Sequence, residues 1–89
     1  MKFAINSPEQ LGPLVRAVRK AQGIRQDDAA GSMGVSENFL GKIEGGGENV
    51  QWGKLFTVLR DLGIQVVVDV QDELADKMPT DKVTARPLK

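Results

Sequence analysis

Gln26, Ser36, Glu37, Asn38 and Lys42 crowd into one stretch of the chain, where they supply two amides, a hydroxyl, a carboxylate and an amine. Such groups recognise partners by hydrogen bonding. The side chains that usually make and break covalent bonds are missing: the 89 residues include no Cys and no His. That removes thiol nucleophiles, disulfides, thiolate metal sites and imidazole general bases together. Carboxylates alone can hold Mg²⁺ or Ca²⁺, but neither the spacing of a calcium-binding loop nor a Gly-rich phosphate loop is present. The inventory points away from an enzyme, a metal site or a bound cofactor, and toward recognition.

The flat edges of base pairs suit these groups. The Asn38 amide can donate to and accept from one adenine edge. Glu37 can accept from cytosine N4, or serve as an acidic partner of a helix N-terminus. Lys42 can reach guanine or a phosphate, or simply be solvated. Gly41 lets a backbone approach the groove, although Gly inside a helix costs about 1 kcal/mol against Ala. Gln26 opens a helix, where side chain and backbone N–H can grip a phosphate. Ser36 can do the same or cap its helix. Phe39 can meet a thymine methyl or pack inward, and packing is favoured. Arg16 and Arg25, with Arg19, Lys20 and Lys54, are candidate phosphate or partner contacts; each alone also fits a solvated helix face.

Four helices must position these groups. Ser7 and Gln10 frame a capping box around Pro8 at the first helical position. Leu11, Leu14, Val15 and Val18 then form one apolar stripe, with Arg16, Arg19 and Lys20 mostly off it, and Gly23 stops a helix over 8–22. A second short helix over 26–33 carries Asp27 and Asp28 in its first turn and ends at Gly34. Ser36 starts a third, reaching about residue 44 before Gly45-Gly46-Gly47. A fourth spans about 50–62, with Leu55, Phe56, Leu59 and Leu62 as its stripe. Trp52, near its start, reads as core, although Trp also suits an interface anchor.

Ile64, Val66, Val67 and Val68 lie in a β-branched segment over 64–70 that reads as a strand. A lone strand is unstable. It must pair, most simply with its copy in a second subunit, or with residues 2–5. Residues 71–89 are polar and charged and read as a mobile tail after a domain over 1–70. Net charge is zero and the pI is about 6.2. Residues 1–60 hold eight basic against six acidic side chains, and residues 61–89 four against six. This weak bias permits phosphate contacts without proving them. No 18-residue apolar run or signal-peptide core is present, so a cytoplasmic protein is expected.

Helices 26–33 and 36–44, joined through Gly34, make a helix-turn-helix. Gln26, Ala30, Gly34, Val35, Ser36, Leu40, Ile43 and Glu44 together resemble the Xre/Cro-type helix-turn-helix family. Ser7-Pro8-Glu9-Gln10-Leu11-Gly12, Ile43-Glu44-Gly45-Gly46-Gly47-Glu48-Asn49 and Leu55-Phe56-Thr57-Val58-Leu59-Arg60-Asp61-Leu62-Gly63-Ile64 look like HipB-type antitoxins. The resemblance covers about residues 6–70. It implies a mainly α, lambda-repressor-like domain of four to five helices with one C-terminal strand pairing across a homodimer. It also implies a nucleoid-associated bacterial repressor that binds palindromic double-stranded operator DNA and a HipA-like serine/threonine kinase toxin. Ala29 stands where the family usually has Leu, Gly31 weakens the second helix, and Phe39 replaces a common small polar residue.

Overall fold

The computed structural model describes residues 1–79. Four α-helices form in chain order: α1 (Pro8–Ala21), α2 (Gln26–Met33), α3 (Glu37–Glu44) and α4 (Trp52–Asp61), followed by a 3-10 helix at Asp72–Lys77. α3 packs against both α1 and α2, and α2 reaches α4. Val15, Ala29, Ala30, Leu40, Ile43, Val58, Leu59 and Leu62 make the core, with Leu11, Val18, Val35 and Leu55 packed around it.

The helix starts and stops follow local chemistry. Ser36 caps α3, its Oγ accepting from Phe39 N–H at 3.0 Å. The turn between α2 and α3 needs Gly34 at φ 72°, a left-handed conformation that costs a side chain strain. Val35 N–H then closes back on Ala30 C=O at 3.0 Å and satisfies a terminal carbonyl. The capping box expected at α1 does not form. Ser7 makes no side-chain cap, and Gln10 Oε1 accepts from Asn6 N–H at 2.6 Å instead.

Expectations for α4 and for Arg19 are corrected. The buried face of α4 runs through Val58, Leu59 and Leu62 with Leu55 packed beside it. Phe56 falls on the flank, 39% exposed, and Trp52 at 75% is not core. The two rings sit one helical turn apart and stack at 5.7 Å between centroids. Second, Arg19 is buried rather than solvated. Within one chain, residues 64–70 form no strand among the described residues, and residues 2–5 do not pair with them. A strand is defined by a hydrogen-bonded neighbour, and the described residues of one chain supply none. Ile64 packs on the core while Val66, Val67 and Val68 are exposed. Of the tail expected over 71–89, residues 72–77 form the 3-10 helix with no buried side chain; residues 80–89 lie outside the described residues. Among the described residues no helix is long and apolar enough to cross a membrane.

Candidate nucleic-acid interface

α3 divides sharply into two faces. Leu40, Ile43 and Glu44 are buried, whereas Ser36, Glu37, Asn38 and Lys42 are exposed. The spacing explains most of the division: positions 40, 43 and 44 share one side of a helix and 38 and 42 lie opposite, whereas Glu37, a heptad before Glu44, is exposed at the helix's first residue. Glu37 and Asn38 occupy the first turn and present a carboxylate and an amide outward. Phe39 is half-buried against the core. Lys54 from α4 lies over its ring, 5.7 Å from the centroid. Lys42 folds back, its Nζ donating to Asn49 C=O at 2.7 Å, so it braces the loop after α3.

α2 brings Gln26 alongside this face. A Cβ added to Gly41 would lie 3.6 Å from Gln26 Nε2, so the amide sits over the side-chain-free middle of α3. Gln26 Nε2 donates to Glu44 Oε1 at 3.2 Å. Arg25 and Asp27 make an exposed ion pair at 3.0 Å, of a kind worth little in water. Arg16 is exposed on α1. The structure thus groups Gln26, Gly41 and α3's outward residues, and leaves Arg16 on the neighbouring helix.

The sequence marks Arg19 as a surface contact and Glu44 as part of the motif, not as the pair that holds α3 in place. Arg19, 5% exposed, donates through Nε to Glu44 Oε2 at 2.6 Å and through Nη2 to Oε1 at 2.9 Å. Its Nη1 donates to Ile24 C=O at 2.8 Å. One guanidinium therefore joins α1, the α1–α2 turn and the end of α3. Burial pushes the Glu44 carboxyl upward, but the hydrogen bonds from Arg19 and Gln26 and the charges of Arg19 and Arg16 outweigh it. Glu44 is held below its ordinary value. The hydrogen bond to Glu44 raises Arg19 against its desolvation. A signal existed: Arg19 lies four residues after Val15, and Glu44 four after Leu40. Opposite charges on two apolar stripes call for each other. Gly12 is the second missed residue. A Cβ there would come within 2.6 Å of Ile43 O and 2.7 Å of Glu44 O, so α1 rests directly on α3's backbone.

No protein-family model matches the chain. It is 44% identical over 66 residues to the uncharacterized HTH-type transcriptional regulator y4mF of Sinorhizobium fredii (strain NBRC 101917 / NGR234), a match spanning 74% of this chain and 87% of that protein. Among solved structures it is similar to a chain of the HipA-HipB-O2-O3 complex, with a TM-score of 0.71 at 22% identity over 80% of this chain and 100% of that one. It is also similar to the restriction-modification controller protein C.AhdI from Aeromonas hydrophila, with a TM-score of 0.58 at 26% identity over 65% of this chain and 88% of that one. The fold matches those neighbours, and by its identity to y4mF the chain belongs to the helix-turn-helix type transcriptional regulators.

Proposed function

We propose that this chain is a homodimeric, cytoplasmic repressor that inserts α3 of each subunit into one half-site of a palindromic operator, and that it is the antitoxin of a HipA-like serine/threonine kinase. The DNA reading rests on one observation: α3 turns Glu37, Asn38 and Lys42 outward while burying Leu40, Ile43 and Glu44, with Gln26 beside it. In this reading Asn38 reads a base edge, with Glu37, Phe39 and Gly41 flanking the contact. Gln26, Ser36 and Lys42 approach phosphates, with Arg16 and Arg25 further out. Lys42 must leave Asn49 to do so.

The dimer is supported by apolar surface left uncovered. Phe56, Val66, Val67, Val68 and Val70 are all exposed, Val68 at 77%. A small domain seldom leaves that much aliphatic surface in water without a partner. Pairing the 64–70 segments of two subunits, Ile64 included, would cover it and complete the strand that one chain lacks. The toxin partnership is supported by the fold likeness to a chain solved with HipA.

Titrating salt against a labelled palindromic fragment from the region upstream of the gene tests the DNA reading. Binding should weaken steeply as salt rises, because neutralised phosphates release counterions; no salt-sensitive shift ends the reading. An Asn38→Ala, Lys42→Ala double variant should lose the operator yet still co-purify with the kinase. The rival reading, a solitary regulator without a toxin, is favoured by the name y4mF carries, which mentions transcription alone. A neighbouring reading frame with no kinase character decides for it.

A further inference from the structure

We infer that Glu44, clamped by Arg19, is a positioning residue for DNA binding: it orients the Gln26 amide so that its NH₂ end is offered to a phosphate. This rests on the reading that Gln26 contacts the backbone of DNA. Glu44 is 7% exposed and cannot reach DNA itself. Its effect passes through the side chain it holds.

The orientation follows from hydrogen-bond chemistry. An ionised carboxylate only accepts, whereas an amide has one accepting and one donating end. With Glu44 Oε1 beside it, Gln26 must present Nε2 inward, as found at 3.2 Å. That nitrogen carries a second hydrogen, which has no acceptor among the described residues. A phosphate can take it. Turned the other way, the amide would offer oxygen to an anion. The amide lies beside Gly41, where a Cβ would make no more than an ordinary contact with Nε2 at 3.6 Å.

Arg19 has two parts in the arrangement. It cancels the carboxylate's charge, so an incoming phosphate does not meet a bare buried anion. Its bond to Ile24 C=O at 2.8 Å also fixes the turn that delivers Gln26. The planar guanidinium suits this, because its fork holds the carboxylate at both oxygens.

A double-mutant cycle on DNA affinity tests the inference. The probe is a duplex selected from a randomised pool by the wild-type protein. Gln26→Ala should weaken binding roughly three- to tenfold, the range of one hydrogen bond. Glu44→Gln should weaken it similarly, because a Gln at 44 tolerates either amide orientation. Combined with Gln26→Ala, it should add no further loss. A merely structural Glu44 gives the same loss in both backgrounds, and that result overturns the inference while leaving the phosphate reading intact. If Gln26→Ala binds as wild type does, the phosphate reading falls first and the inference with it. Glu44→Asp serves where Glu44→Gln melts below the assay temperature. It keeps the charge beside Arg19 but draws the oxygen away from Gln26, and the same cycle applies.

Discussion

Arg19 and Glu44 face each other as a bidentate pair, at 2.6 and 2.9 Å, between two helices that are separated by α2 in the chain. Both residues are buried. Removing one partner leaves an uncompensated charge inside the protein, and such losses run to about 3–5 kcal/mol. Arg19→Met should lower stability in urea denaturation by that order, or abolish the cooperative transition. A variant within about 1 kcal/mol of wild type would contradict the pairing.

The same pair sets an acid limit. Glu44 is held below its ordinary value, so its stabilising contribution is complete above the unfolded carboxyl value of about 4.3 and is lost as pH falls through the lower folded value. Thermal melts from about pH 6 down to pH 3 should show wild type losing stability faster than Glu44→Gln, the gap between them closing at the acid end. Parallel curves would mean that Glu44 does not govern this limb.

One substitution should have opposite signs at two glycines. At Gly12 a new Cβ meets Ile43 O at 2.6 Å, and Gly12→Ala should cost about 1–3 kcal/mol through overpacking. At Gly31 nothing lies within 4 Å, and Gly31→Ala should stabilise α2 by up to about 1 kcal/mol. Melting temperatures of the two variants check both signs together.

Asn38 and Lys42 should separate specificity from affinity. Asn38→Ala should cost about 1–3 kcal/mol on the selected duplex and relax preference at one position. Lys42→Ala should weaken all duplexes alike and reduce the salt slope by about one. Competition binding across single-base variants resolves the two patterns. An Asn38→Ala protein with unchanged base preference removes Asn38 as a reader.

Val67 tests the dimer. Proline has no N–H to donate and is confined to edges and bulges of sheets. Val67→Pro should therefore shift sedimentation toward monomer while leaving the helical circular dichroism of 8–61 intact. A dimer that persists at low concentration refutes pairing through 64–70.

Much of this architecture is written locally. Helix boundaries at 26–33 and 36–44 depend on Ser36, Gly34 and the apolar spacing of Leu40 and Ile43, all acting over a few residues. The outward face of α3, and with it Asn38 and Lys42, follows from that same spacing, while Glu37 is exposed by its place at the helix start. α4 is legible but for one position: Leu55, Leu59 and Leu62 keep the helical period together with Val58, and Phe56 falls beside that stripe.

The rest depended on contacts between distant residues. Periodicity shows that Arg19 falls near a stripe, but burying it requires Glu44, 25 residues on, to arrive opposite. Gly12 reads as an unremarkable helix residue until α3's carbonyls are seen against it. Trp52, near the start of α4, reads as core in the sequence, yet its place on α4's flank leaves it stacked on Phe56 in solvent. Where the helix-turn-helix lies, and that Asn38 and Lys42 face outward, can be read along the chain, because capping, turn geometry and helical period are short-range. What holds that motif still, and what Gln26 donates to, emerges only when the helices pack, because ion pairing and close packing join residues that no local pattern connects.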